Sequence, residues 1–199
     1  ITCGEVNENK IFMFMHGGGY YRGSAAATRA TVARISAEAK VKCLSIDYRL
    51  APEHPFPAAI DDTYSAYEWL INEGIRPEHI IVSGQSAGGG LCLALLLKIK
   101  ENNISQPLGA VALSPWTDLS QSGNTMATNE QIDPIISKRY LDRFAKLYVS
   151  DLQNMSHLAS PIIGELSGLP NILIQVGSAE TMLDDSKLFY EKAKKANVN

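Results

Sequence analysis

The sequence predicts an α/β domain in which a mostly parallel sheet is flanked by helices, and three observations predict it. Short apolar runs bounded by glycine and proline alternate with longer stretches of helical spacing along the 199 residues. Strands that alternate with helices pair in parallel, because each helix carries the chain back across the sheet. A glycine run, His16-Gly17-Gly18-Gly19, closes the first apolar run, and Gly84-Gln85-Ser86-Ala87-Gly88 separates a later one from the most apolar helical stretch. Ligands of such sheets bind at the carboxyl ends of the strands, where both glycine turns fall.

The elements follow in order. Ile11-Phe-Met-Phe-Met15 reads as a buried strand stopped by the glycine run. Residues 28–40 carry Val32, Ile35 and Ala39 at helical spacing, and Val41 to Ile46 is the next strand. A proline-rich loop, Leu50 to Pro57, leads into a helix through Tyr64, Tyr67 and Leu70 to about Asn72, because Pro57 is accommodated in a first helical turn. A strand over residues 79–83, a turn over Gly84 to Gly88 and an apolar helix from Gly89 to about Lys100 come next. Residues 108–113 and 171–176 are two further strands, and Leu183 to Ala196 is a last helix with Asp184 and Asp185 in its first turn, where the helix dipole favours acids. Residues 117–160 interrupt the rhythm. A connection that long inside an α/β domain is usually functional, so this segment is expected to be a cap-type insertion over the pocket of a single domain, 1–199.

Composition narrows the partners. With 45% hydrophobic and 20% charged residues, a net charge of -3 and scattered lysines and arginines, the chain has no basic footprint for nucleic acid or an anionic membrane. A small molecule is the expected partner, and a homodimer is left open. Cys3, Cys43 and Cys92 are odd in number and form no Cys-x-x-Cys pair, so they read as free thiols in a reducing, cytoplasmic setting. The longest apolar stretch, Leu91 to Leu97, is far shorter than the roughly 20 residues of a membrane-spanning helix. The first residue is Ile1 rather than methionine, so a leader removed from upstream stays open.

Gly84-Gln-Ser-Ala-Gly88 fits a nucleophile elbow, a sharp strand-to-helix turn that lifts the Ser86 hydroxyl above an α/β-hydrolase sheet. The pattern alone arises by chance in about one chain in ten. Its place between strand and helix raises its weight. The rarer glycine run after the first strand can turn the N–H groups of Gly17 and Gly18, with that of Ala87, toward a developing oxyanion. His16 then braces the loop rather than acting as base.

His16-Gly-Gly-Gly-Tyr20, Asp47-Tyr-Arg-Leu-Ala-Pro-Glu-His-Pro-Phe-Pro-Ala58 and Gly84-Gln-Ser-Ala-Gly-Gly89, in this order and spacing, resemble the bacterial branch of the hormone-sensitive lipase family of esterases and lipases. The resemblance runs from about Lys10 to the end. It implies an α/β-hydrolase fold with a partial helical cap, a Ser/acid/His triad, no metal or cofactor, and short acyl esters as substrates. Asp47 to Pro57 reads as a rigid structural loop, and Asp61 and Asp62 as helix-start acids. The family places its acid after the strand over 171–176, and the aligned residue here is Glu180, a departure from the usual aspartate that one branch shares. Asp184 is the second choice, and Asp185 fits a helix-start acid best. Tyr20 and Tyr21 are candidates for the pocket wall or for packing against the cap.

No histidine follows Glu180: His16, His54, His79 and His157 all precede it. The family base lies some 30 residues beyond the acid, so the chain is expected to be a fragment lacking both termini, with a carboxylic ester hydrolase as the complete protein. The alternative is a non-catalytic small-molecule-binding protein on the same scaffold, such as the plant gibberellin receptor, which resembles this family but lacks the triad histidine.

Overall fold

In a computed structural model describing residues 1–199, the apolar runs form strands β1 (Asn7–Met15), β2 (Val41–Ile46), β3 (Ile80–Gln85), β4 (Gly109–Leu113) and β5 (Asn171–Gln175). They pair in parallel throughout, in the order β2-β1-β3-β4-β5. The chain leaves β1 to one side to make β2, then crosses back to lay β3 on the other side. The loops leaving β1 and β3 therefore diverge, and a crevice opens between them at the carboxyl edge of the sheet.

The helices are α1 (Arg29–Ala39), α2 (Ala58–Asn72), α3 (Ala87–Glu101), the single turn α4 (Thr125–Thr128), α5 (Lys138–Tyr148) and α6 (Leu183–Lys195). Side chains alternate across a strand, so Met13 and Met15 join the main core with α3, whereas Phe14 packs on the opposite face with Val32 of α1 and Cys43 of β2. Up to Leu97, α3 is apolar on every side and buried on every side, as such a helix must be, and its charges are confined to the last turn. Leu91, Leu93, Leu95 and Leu96 have no exposed surface, and each contributes on the order of 2 kcal/mol by leaving water. The expectation of helices on both faces holds where α1 covers β1 and β2. Beyond them the second face is bare at β5, where Leu173 is 62% exposed. Cys43 and Cys92 are buried free thiols, while Cys3 is only half-buried. No helix is long and apolar enough to cross a membrane.

Element boundaries differ from the sequence reading by more than one residue in two places, at the start of β1 and around Ser86. β1 begins at Asn7, because Asn7 pairs with Val41 across a register shift and carries the polar residues before Ile11 into the strand. The turn expected over Gly84 to Gly88 contracts to Ser86 alone, since β3 runs to Gln85 and α3 begins at Ala87. The glycines serve contact rather than chain flexibility. A Cβ on Gly84 would lie 2.0 Å from the Gly88 carbonyl oxygen, and one on Gly88 would lie 2.2 Å from that of Met15.

Residues 117–160 are tied to α6 by buried polar groups. Asp185 turns inward rather than capping its helix: its Oδ2 accepts from the N–H groups of Thr117 and Asp118, both at 2.8 Å, and its Oδ1 has no partner. Asp185 does lie in the first turn of α6, as the sequence reading has it, but its side chain is engaged by the connection. Burial disfavours the charged form and pushes the Asp185 carboxyl up to about 7. Asp118 goes the other way: burial works against its charge, but the hydroxyls and N–H groups of Ser120 and Ser122 outweigh it and hold the group below the usual range. On the outer surface α5 presents Lys138, Arg139, Arg143 and Lys146, and its apolar stripe of Leu141, Phe144, Ala145 and Tyr148 faces in at the spacing of one helical face.

Two outcomes follow from this packing. Gly88→Ala forces a methyl group into the Met15 carbonyl and lowers stability by about 3 kcal/mol or more in urea denaturation. For Asp185, the unfolded chain releases its proton near pH 4, while the folded chain keeps it to about 7. Over that window the unfolded state binds fewer protons, so stability falls as pH rises, at up to about 1.4 kcal/mol per pH unit from this group, and levels off above it. In Asp185→Asn, which keeps the acceptor for both amides, urea titrations between pH 4 and 7 lose that slope.

Candidate active site

Ser86 follows β3 with φ 54 and ψ -119, a conformation that L residues avoid and that costs on the order of 1–3 kcal/mol. Backbone bonds hold it there. Its N–H donates to the Leu113 carbonyl at 2.9 Å, and its own carbonyl accepts from Gly90 and Trp116, both at 3.0 Å. The hydroxyl consequently stands above the sheet edge, at the amino terminus of α3.

The glycine loop after β1 lies directly against this turn. A Cβ on Gly17 would sit 3.0 Å from the Gln85 carbonyl oxygen and 3.3 Å from Ser86 Cβ, so any side chain here crowds the serine turn. Gly18 adopts φ 123, and its carbonyl is occupied by the N–H groups of Tyr21 and Arg22 at 3.2 Å. The N–H groups of Gly17, Gly18 and Ala87 have no acceptor among the backbone carbonyls. Three unpartnered donors at the mouth of a crevice are a site for a negative oxygen.

His16 is buried behind the loop. Its Nδ1 lies 2.8 Å from the Gly17 carbonyl, which can only accept, so Nδ1 carries the proton. The ring stacks on Tyr48 at 4.2 Å, and the Tyr48 hydroxyl donates to the His16 carbonyl at 2.8 Å. Burial raises the Tyr48 phenol, keeping it a neutral donor. In this geometry His16 braces the loop.

Glu180 follows β5, half-buried beside the same crevice. Its Oε1 accepts from the Gly177 N–H at 2.7 Å and from the Ser114 hydroxyl at 2.9 Å, which leaves Oε2 free to accept another donor. Asp184 is engaged elsewhere. It accepts from the Thr125 N–H at 3.1 Å and returns its own N–H to the Thr125 hydroxyl at 2.9 Å, a reciprocal clamp between α4 and α6.

Ser86, Gly17, Gly18 and Glu180 share one cavity of about 690 Å³. Its apolar wall is Trp116, Ile135, Ile136, Leu141, Phe144 and Met182, mostly from the 117–160 connection. Tyr20 and Tyr21 are not in it. Tyr20 adopts φ 64, is fully buried and stacks on Tyr148 at 3.8 Å, while Tyr21 stacks on Phe144 at 4.3 Å. Of the two readings open for these tyrosines, packing against the connection is the one found. The wall residues themselves were missed. Only the helical stripe of α5 could have pointed to them, and nothing local marks Ser114.

None of the four histidines lines this cavity. His79 precedes β3, at the opposite edge of the sheet from Ser86, and bonds Arg76. His54 is exposed in the proline loop. His157 bonds Glu101, the last residue of α3, roughly 20 Å along the helix from Ser86 at 1.5 Å per residue. The proline loop is structural: Asp62 holds Arg49 through both carboxylate oxygens at 2.8–3.0 Å, Asp47 accepts from the Ala25 N–H, and Asp61 pairs with Lys98 on α3. Both helix-start acids thus serve tertiary ion pairs.

Comparison with known proteins follows the same lines. A family model described as alpha/beta hydrolase fold matches residues 12–199. An esterase of Acinetobacter venetianus is 37% identical over 195 residues, covering 98% of this chain and 64% of the relative. An acetyl-hydrolase of Streptomyces hygroscopicus is 35% identical, covering 96% of this chain and 64% of its own length. Among solved structures, an esterase from the bacterial hormone-sensitive lipase family superposes with a TM-score of 0.95 at 40% identity, over 97% of this chain and 65% of that one. The structure of EstE5 soaked by p-nitrophenyl butyrate gives 0.94 at 39%, over 98% and 65%. The chain thus spans just under two thirds of the length of these proteins.

Proposed function

The chain belongs to the α/β-hydrolase fold family, and from that premise we propose that the protein is a serine-dependent carboxylic ester hydrolase acting on short acyl esters through an acyl-enzyme. The observation that carries this reading is the convergence on one cavity of a strained, accessible serine, three unpartnered N–H groups and a carboxylate with one free oxygen. The names of the relatives, esterase and acetyl-hydrolase, and the p-nitrophenyl butyrate soaked into EstE5 support an ester with a short acyl group.

In this mechanism the Ser86 hydroxyl gives its proton to an imidazole and attacks the ester carbonyl. The N–H groups of Gly17, Gly18 and Ala87 hold the oxyanion as it forms. Collapse of the tetrahedral intermediate returns the proton to the leaving alcohol, and water then releases the acid by the same route. Glu180 accepts from the imidazole through Oε2 and stabilises the imidazolium. No histidine among these residues reaches the cavity, so we assign the base to a histidine outside them. Residues 117–160 act as a cap-type insertion, with Phe144, packed directly against Gly19, bounding the acyl site. The three free thiols support a cytoplasmic setting. The alternative is a non-catalytic small-molecule-binding protein on the same scaffold.

The deciding measurement is serine-directed fluorophosphonate labelling of the full-length gene product and of this 199-residue chain. Labelling of the full-length protein, abolished in Ser86→Ala and weak in the 199-residue chain, is expected. Reaction of neither form overturns the hydrolase reading and makes the binding protein the better one. In the full-length protein, Glu180→Ala lowers kcat/KM for p-nitrophenyl butyrate by about 10²–10⁴-fold, whereas Asp184→Ala leaves it within several-fold. Phe144→Ala widens the acyl site and moves the preferred p-nitrophenyl ester to a longer chain, read from kcat/KM across an acyl series.

A further inference from the structure

A glutamate has one more rotatable bond than an aspartate, so a triad carboxylate at Glu180 has more freedom to lose before it can face an imidazole in one orientation. The fold restricts that freedom at two levels. The backbone of Glu180 is held by Asn129, whose buried Nδ2 donates to the carbonyls of Glu180 and Ser178 at 2.9 and 3.3 Å, and by Asp133, which accepts from the next N–H, that of Thr181, at 2.8 Å. The carboxylate is held separately, by two donors that share Oε1: the Gly177 N–H and the Ser114 hydroxyl.

We propose that Ser114 is a positioning residue for Glu180, whose hydroxyl fixes Oε1 so that Oε2 alone is presented to the imidazole. The assignment rests on the reading of Glu180 as the acid of a serine hydrolase. Ser114 is the first residue after β4, and it adopts φ 44, a left-handed conformation uncommon outside glycine. Its N–H donates to the Gln175 carbonyl at the end of β5 at 2.7 Å. That bond continues the parallel pairing one step beyond the strands and aims the side chain across toward the acid loop. Gly177 completes the fit, since a Cβ there would lie 2.9 Å from Oε1. With the Ser114 hydroxyl removed, one N–H donor remains on Oε1 and the carboxylate can rotate, exchanging its oxygens. The backbone anchors on Asn129 and Asp133 are untouched, so the loss falls on catalysis rather than on folding.

The test is a double-mutant cycle in the full-length protein with p-nitrophenyl butyrate, using Ser114→Ala, Glu180→Ala and both together. Ser114→Ala is expected to lower kcat about tenfold with KM within twofold, to slow fluorophosphonate inactivation by a similar factor, and to leave the urea midpoint unchanged. In the Glu180→Ala background the same substitution changes kcat less than twofold, because its target is gone. Wild-type kcat in Ser114→Ala, or an undiminished loss when Glu180 is already alanine, overturns the assignment. Should Ser114→Ala fail to fold, Ser114→Gly, which tolerates the left-handed backbone, takes its place in the cycle. A wild-type protein that does not react with fluorophosphonate removes the esterase reading and this assignment with it. A reactive protein unaffected by Glu180→Ala removes the acid, and one impaired by Glu180→Ala but not by Ser114→Ala removes Ser114 alone.

Discussion

The site depends on the distance at which three backbone segments meet beneath Ser86. The β1 loop, the β3–α3 turn and the segment after β4 approach so closely that Gly84, Gly88 and Gly90 could not carry a methyl group without meeting a carbonyl within about 2.0–2.2 Å. Interiors are packed to the density of organic crystals, so such contacts leave few alternative arrangements. The strain at Ser86 persists because the neighbouring backbone over-determines it: its N–H is bonded to one strand and its carbonyl to two segments beyond. Move any of the three and the serine and the unpartnered N–H groups would no longer share a crevice.

Parallel register then spreads the chemistry along one edge. Across the order β1-β3-β4-β5, the residues just past each strand are the glycine loop, Ser86, Ser114 and the Glu180 loop. Each strand end supplies one group at a similar height. A wholly parallel sheet delivers them this way because its carboxyl ends all lie on one side. Behind the row, the stacked His16–Tyr48 and Tyr20–Tyr148 pairs fill the space under the glycine loop and keep it from collapsing inward.

The 117–160 connection contributes in two ways at once. Its apolar residues wall the cavity, its Thr117 and Asp118 N–H groups hold Asp185 of α6, and its Thr125, Asn129 and Asp133 grip the loop that carries Glu180. The cavity wall and the backbone around Glu180 are thus held by the same segment. Asp185, neutral over part of the physiological range, and Asp118, held charged by four hydrogen bonds from Ser120 and Ser122, show how burial is tolerated there: each carboxylate is provided for by backbone amides or hydroxyls rather than by cations.

The strand and helix rhythm, the glycine loop and the elbow were legible in the sequence, because each is a local demand. An apolar run, a helical stripe or a glycine at a close contact leaves its mark on consecutive residues. So was the place of His16 inside the loop motif, where it is buried and bonded to the Gly17 carbonyl. Side-chain destinations were not legible. Tyr20, adjacent to the site in sequence, is turned into the core by a left-handed backbone. Asp185, spaced like a helix-start acid, faces Thr117 and Asp118 across 67 or 68 residues of chain. Ser114 meets Glu180 across 66. Local sequence determines which elements form, whereas which residues touch is decided by sheet order and by the register in which the strand ends are brought side by side.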